Sequence, residues 1–384
     1  MVKSSPGTPP ATHKDDYKAL LRVSILLGAE KNLHSLLSLI IDECKKLLDA
    51  NRSSLFLIDY ERNVLYSEVA TGLKGKFELP LGAGLAGIAA ATGQTSHVTD
   101  AQTDPRYYGD IEGYVTRTVL TMPLRNHADK IIGVIQAVNK HGNLLFDSRD
   151  EEILSALSSV AAIAIENTML RSDFELMFDS MVNVMAASID ARDLQSSGHS
   201  QRVARYAEEM ARVRGMNDEA LRTVRLAGLL HDYGKIGIPD AILCKPGPGR
   251  LTSVEYAIMQ SHVVKTREIL DKVYFVGPLK RIPLIAGQHH ERLDGLGYPQ
   301  GLTGGEIEFE AKILAVADVY DAITVKRYYR EPLPVAEALL YLHTLAGSEL
   351  DRDCVYSLEE VVARLGEPHQ VFPLDIEANP AASH

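Results

Sequence analysis

Across residues 33–48 (LHSLLSLIIDECKKLL) apolar side chains recur at helical spacing, which predicts an amphipathic helix. The pattern then shifts to short apolar and β-branched runs that read as strands, at Ser54–Asp59, Val64–Val69, Thr118–Leu124 and Ile131–Val138. Between them lie a glycine-punctuated short helix, Leu85–Gly93, and a turn-rich stretch, Thr99–Gly109. Helices flanking several mostly antiparallel strands predict an α+β sandwich of about 150 residues.

From Ser148 to Asp190 neither proline nor glycine interrupts the chain, so a single long helix is expected over about 148–190. Leu170, Phe174, Met177, Met181 and Val184 step by 4, 3, 4 and 3, the seam of a coiled coil. Ile153, Leu157, Val160 and Ala164 step in the same way but out of phase with the later set. Two readings stay open: a homodimer-forming helix, or a long helix packed on its own domains. Residues 190–372 read as almost wholly helical, with Pro/Gly loops at Cys244–Gly249 and Asp294–Gly305. The expected fold class is therefore a two-domain chain, with an N-terminal α+β domain joined by a long helix to an all-α domain. Residues 1–16, rich in Pro, Ser, Thr and charge, are expected to be disordered, and 373–384 to form a flexible tail.

Composition narrows the class. With 384 residues, 46% hydrophobic and 24% charged, the chain has room for two or three ordinary globular domains and is neither mainly disordered nor fibrous. A net charge of −11 disfavours a nucleic-acid-binding surface, yet a local cluster of cations can still hold a small phosphorylated ligand. The longest nearly apolar stretch, Ile153–Ile165, is shorter than the ~20 residues that span a bilayer. The N-terminus lacks the apolar core of a secretory signal, and Cys44, Cys244 and Cys354 show no CxxC spacing. The expectation is a cytoplasmic protein without membrane or nucleic-acid partners.

The strongest chemical signal is His231-Asp232, which closes the apolar helical run Val224–Leu230. A carboxylate beside an imidazole offers one group that can bridge two metals and one that binds a single metal. Taken alone, such a pair reads equally well as a solvated helix end. Here it is joined by His199, His262, the doublet His289-His290, and Asp318. Mixed N/O donors suit iron, manganese or a similar divalent ion, and the lack of thiolates argues against structural zinc. Asp318 and Asp321 lie one turn apart within the apolar run Lys312–Thr324, where unpartnered carboxylates would be costly to bury.

The string His231-Asp232-Tyr-Gly-Lys235-Ile-Gly-Ile-Pro239, followed by His289-His290-Glu-Arg-Leu-Asp-Gly-Leu-Gly297-Tyr298-Pro299, resembles the HD-GYP family. Those proteins are HD-superfamily phosphohydrolases that cleave cyclic di-GMP. The resemblance covers about residues 180–345, within a domain expected over 176–372. Asp318-Val-Tyr-Asp321-Ala and Lys326-Arg327-Tyr-Tyr-Arg330 also fit. Leu293 stands where the family usually has Trp, and the Lys245–Thr252 loop looks two residues longer than the common form.

The resemblance implies two divalent metals. His199, His231, Asp232 and Asp318 would hold one, and Asp232, His262, His289 and His290 the other, with Asp232 bridging. It also implies catalytic roles for Asp232 and Lys235, with Lys235, Tyr298, Arg327 and Arg330 meeting substrate. The plainer alternatives are a surface lysine at Lys235, and pairing of Arg327 or Arg330 with Glu331 or another acid. The product would be linear pGpG and, with further cleavage, GMP. Cyclic GMP-AMP as substrate, or a non-catalytic effector, are the alternatives. Members with a third metal carry Glu four residues before the histidine that matches His199. Gln195 occupies that position here, so two metals are expected.

The first domain, over about residues 17–170, resembles a GAF sensor domain. Asn139-Lys140, Phe146 and Asp150-Glu151 resemble the signature of GAF domains that bind cyclic nucleotides, which implies cAMP or cGMP as ligand. In that family the Lys and the Asp pair to lock the pocket. Read from the residues alone, Lys140 and Asp150 are an ordinary ion pair joining a strand end to a helix start. Another small ligand, or a purely structural role, also remains open.

Overall fold

The computed structural model describes residues 13–67, 77–107, 114–192, 198–245, 251–326 and 331–365. The chain divides into two compact units, 1–175 and 176–384. The first opens with α1 (His13–Ala29) and α2 (Leu33–Leu47), followed by β1 (Ala50–Asp59), β2 (Val64–Ser67) and β3 (Phe77–Pro80). Then come α3 (Gly84–Thr92), β4 (Ser96–Val98), β5 (Val119–Arg125), β6 (Ile131–Lys140) and the start of α4 (Ser148–Arg192). The strands form one sheet in the order β3-β2-β1-β6-β5-β4, and every neighbouring pair is antiparallel.

Strands β1, β2, β5 and β6 and the helices α2, α3 and α4 agree with the sequence expectation, whereas α1, β3 and β4 were not foreseen. Residues 13–16, expected to be disordered, are the first turn of α1. Asp16 accepts 2.9 and 2.8 Å hydrogen bonds from the Arg149 guanidinium on α4. Val23 and Leu27 of α1 join Leu36, Leu37, Ile40 and Ile41 of α2 in the core beneath the sheet. Asn32 caps α2 by accepting from the Ser35 amide at 3.0 Å.

The out-of-phase seams of α4 have different fates. Ile153 and Leu157 are buried in the core of the first unit, with Val160 and Ala164 packed at its edge. Leu170, Phe174, Met177, Met181 and Val184 are all exposed. An 18-residue window of α4 is long and apolar enough to cross a membrane by composition, and 44% of it is buried inside the protein. Core helices pass the same test, and Leu154, Leu157, Ala161, Ala162 and Ile165 show α4 in that role.

The second unit is helical: the end of α4, α5 (His199–Val213), α6 (Asp218–Leu230), a 3₁₀ turn (Tyr233–Gly237) and α7 (Asp240–Leu243). There follow α8 (Ser253–Leu270), α9 (Ile282–Ala286), α10 (Phe309–Thr324), α11 (Val335–Leu345) and α12 (Arg352–Leu365). Asn217 caps α6, with Asp218 and Glu219 in its first turn facing the positive end of the helix dipole. Thr252 and Glu255 form a capping box on α8, and Lys245 holds the Glu255 carboxylate at 2.8 Å. The core packs α5 and α6 against α10 and α12, with Tyr206 and Tyr320 edge to face at 5.2 Å.

In the first unit the GAF-like signature residues work on the backbone. Asn139 has a left-handed φ of 53°. Its side chain accepts from the Arg117 and Thr118 amides at 2.7 and 3.1 Å and donates to the Val115 carbonyl at 2.8 Å. Phe146 is buried in the core, and Glu151 is exposed. Lys140 donates to Asp150 at 2.5 Å, tying the end of β6 to the start of α4, and Asp150 also accepts from the Asp147 amide at 2.9 Å. Asp150→Ala should destabilise the first unit by about 2–4 kcal/mol, because it leaves a mostly buried ammonium unpaired. Calorimetric unfolding checks this, and adding Lys140→Met should recover part of the loss.

Candidate metal centre

Five helical elements bring the predicted donors together. His199 is the first residue of α5, and His231 is the C-cap of α6 with Asp232 directly after it. His262 lies midway along α8, His289 and His290 follow α9, and Asp318 sits in α10. The donors form triads whose ligand atoms lie within 4.8 Å of one another: His199, His231 and Asp318; His262, His289 and His290; and His231, Asp232 and His289. The third triad shares His231 with the first and His289 with the second, and sets Asp232 between them. One Asp232 oxygen lies 3.2 Å from His262 Nε2, and the other lies 3.4 Å from His231 Nε2 and 3.7 Å from His199 Nε2.

Local backbone geometry aims the imidazoles. The Nδ1–H groups of His231, His262 and His289 donate to the carbonyls of Gly228, Met259 and Ala286, each at 2.7 Å and three residues back. A carbonyl only accepts, so these bonds leave the Nε2 lone pairs facing the centre. Those three Nε2 atoms are buried without a hydrogen-bond partner. Buried nitrogens of this kind normally find one, so three converging on two carboxylates fit a cation. His199 is aimed differently: Asp321 holds its Nδ1 at 2.7 Å, and Asp321 is in turn held by Arg202 Nε at 2.6 Å. Of the two acids on α10, Asp318 thus faces the donors and Asp321 orients one of them.

The charge state suits metal binding. Burial would raise the Asp232 carboxyl, but Lys235, then His231, hold it well below the usual carboxylate range. Asp318 is likewise held down by His199 against the effect of burial. Burial lowers His289 well below its ordinary value and His290 to about 4, so both are neutral donors near neutral pH. His199, although buried, is pushed up to about 10 by Asp318 and Asp321. A divalent ion binding there would displace that proton. Residues with these donors, orphaned nitrogens and ionised carboxylates fit a divalent metal.

The sequence reading singled out Lys235 and Tyr298 beside the donors, and both are close. Lys235 Nζ lies 2.6 Å from Asp232 Oδ2. Tyr298 stacks on His290 with ring centroids 4.8 Å apart. Gly295 has φ +75°, whereas Gly297 is needed for space: a Cβ there would lie 2.4 Å from the Arg292 amide nitrogen. Arg327 and Arg330, like Gln195, lie outside the described residues.

Glu291 was missed. It is buried, and its carboxylate accepts from the Gln300 and Leu302 amides at 2.7 and 2.9 Å, pinning the loop that carries Tyr298. Its partners are backbone amides, which no sequence pattern marks. The rim is formed by His290 and Asp318, with 28% and 14% side-chain exposure, while the other five donors keep 7% or less.

Residues 183–354 match the family model described as an HD domain, and residues 32–165 match that of a GAF domain. The chain therefore carries an N-terminal GAF domain and a C-terminal HD domain, and the His/Asp cluster lies in the latter. Among similar proteins, "3'3'-cGAMP-specific phosphodiesterase 3" of Vibrio cholerae is 35% identical over 195 residues, covering 51% of this chain and 41% of that protein. "Cyclic di-GMP phosphodiesterase response regulator RpfG" of Xanthomonas campestris is 38% identical over 203 residues, covering 51% and 52%. "Cyclic di-GMP phosphodiesterase" of Thermotoga maritima is 36% identical over 195 residues, covering 50% of each. The chain spans about half or less of these relatives' length.

Gly234, two residues after Asp232, has no room for a side chain: a Cβ would lie 2.0 Å from the His262 carbonyl oxygen and 2.4 Å from the Thr266 nitrogen. Gly234→Ala should therefore part the turn from α8 and weaken metal binding ~10–100-fold. Metal titration of the purified variant, with circular dichroism to confirm retained helix content, measures the effect.

Proposed function

We propose that the HD domain is a metal-dependent phosphodiesterase that opens cyclic di-GMP to linear pGpG, with further cleavage giving GMP. The observation that carries this reading is the pair of donor triads with Asp232 between them, one carboxylate oxygen toward His262 and the other toward His231 and His199. Two divalent ions, iron or manganese by donor type, would supply an acidified water and a clamp for the phosphodiester charge. His199, His231, Asp232 and Asp318 are assigned to one ion, and Asp232, His262, His289 and His290 to the other. The chain's own groups do the rest. Asp321 and Arg202 fix the His199 ring, and Glu291 holds the Tyr298 loop in place beside His290. Lys235, at the edge of the donors, offsets charge developing on the phosphoryl oxygens. Addition of one water breaks one P–O ester bond and opens the ring. Arg327 and Arg330 are assigned to substrate phosphate by the sequence resemblance alone.

A second substrate, 3'3'-cGAMP, is supported by relatives of that specificity at 35–38% identity. In the same reading the GAF domain binds cAMP or cGMP and regulates turnover. Two copies of the chain associate through the exposed stripe of α4, where Leu170, Phe174, Met177, Met181 and Val184 recur at coiled-coil spacing. A cytoplasmic location accords with three free thiols.

Protein reconstituted anaerobically with iron or manganese should contain about two metals per chain. Product analysis with cyclic di-GMP, 3'3'-cGAMP and cyclic di-AMP identifies the substrate, and no cleavage of any of them overturns the reading. Asp232→Asn should abolish hydrolysis and lower the elemental metal ratio. Near-normal turnover at full metal content would place the centre elsewhere. For the sensor, calorimetry of the full chain should show binding of cAMP or cGMP but not of adenosine or guanosine, and the bound nucleotide should alter turnover.

A further inference from the structure

The last residue of α4, Arg192, is aimed at the backbone beside the metal donors. Its Nη1 donates to the carbonyls of Lys235 at 3.2 Å and Ile236 at 2.5 Å, and its Nη2 donates to the Ile238 carbonyl at 2.8 Å. Nε and Nη2 also meet Asp240 Oδ1 at 3.0 and 2.7 Å. A planar guanidinium with five fixed donors can span such a set, and a lysine ammonium cannot.

The carbonyls so gathered belong to, or directly follow, the turn that carries Lys235. That turn is gripped from its other side by α8. Thr266 Oγ1 accepts from the Gly234 amide at 2.8 Å and donates to the His231 carbonyl at 3.0 Å. The approach is close enough to exclude any side chain at Gly234, where a Cβ would lie 2.0 Å from the His262 carbonyl oxygen. The turn is thus held at Gly234 by α8 and at 235–238 by Arg192. Lys235, between the two grips, reaches Asp232 Oδ2 at 2.6 Å.

We propose that Arg192 is a positioning residue for Lys235, so that the last turn of α4 sets where the Lys235 ammonium stands relative to Asp232. The proposal deepens the hydrolase reading and rests on it for its kinetic consequence. None of the seven donors is touched by Arg192, so its loss should leave the metals in place and act on Lys235 alone.

The test uses the full chain loaded with manganese. Arg192→Ala should lower kcat for cyclic di-GMP by ~10–100-fold, the scale of a misplaced catalytic group, with metal content and melting temperature near those of the parent. Arg192→Lys, which keeps the charge but not the fork, should recover only a small part. In a Lys235→Ala background the same Arg192→Ala change should cost less than twofold more, since two residues acting through one group are not additive. Acetylation of Lys235 by acetic anhydride, followed by mass spectrometry, reads the position without turnover and should rise at least threefold in Arg192→Ala. Full additivity with Lys235→Ala, or loss of metal together with activity, would overturn the proposal in favour of a general structural role. Unchanged acetylation of Lys235 would overturn it whatever the activity. If the parent chain cleaves no cyclic dinucleotide, the hydrolase reading fails, while the acetylation result still decides the placement of Lys235.

Discussion

The helical unit is organised around the cost of burying the Asp232 carboxylate. An isolated charge at that depth would be several kcal/mol too expensive to keep. Its neighbours are those that make it tolerable: Lys235 at 2.6 Å and the Nε2 faces of His231, His262 and His199 within 3.7 Å. Each neighbour then imposes a demand of its own. The imidazoles must present Nε2, so the Nδ1 atoms of His231 and His262 are committed to carbonyls one turn back and that of His199 to the Asp321 carboxylate. Lys235 must return toward Asp232, so the chain breaks from α6 into a tight 3₁₀ turn. The turn must lie flat on α8, so position 234 is glycine. Helix packing, cap placement and turn geometry in this region all follow from one buried negative charge.

His231, Asp232 and Asp318 were legible because they close or interrupt apolar helical runs, and His199, His262, His289 and His290 because they accumulate around that pair in the sequence. Arg192 and Glu291 were not. Their partners are backbone amides and carbonyls, which every residue possesses and no pattern marks. Asn139 was read as part of a signature, but its work, satisfying the amides of Arg117 and Thr118 from a left-handed backbone, shows only in three dimensions.

In the α+β unit the same limit separates what was found from what was missed. The central strands β1, β5 and β6 are long and apolar, so their pattern is strong. The edge strands β3 and β4 have four and three residues. Such short runs give too few alternations to stand out from a loop, whereas β2, no longer than β3, lies in the strand-like sequence run Val64–Val69. Helix α1 follows a polar, proline-rich leader, and its buried residues, Val23 and Leu27, are too few to make a strong stripe. The seam on α4 could be read for spacing but not for fate. The same heptad-like steps bury one set of side chains and leave the next exposed, because the second half of α4 buries Val182, Ala186 and Ile189 in place of that seam.

The uneven burial of the donors bears on exchange as well as on holding. His290 and Asp318 form the rim, and each belongs to a different triad. An ion entering either triad would meet its rim donor first and the deeper side chains afterwards. All seven donors would contribute to affinity, whereas the outer two would bear most on the rate of entry and escape. Residence time would then depend on whether an imidazole or a carboxylate guards the exit.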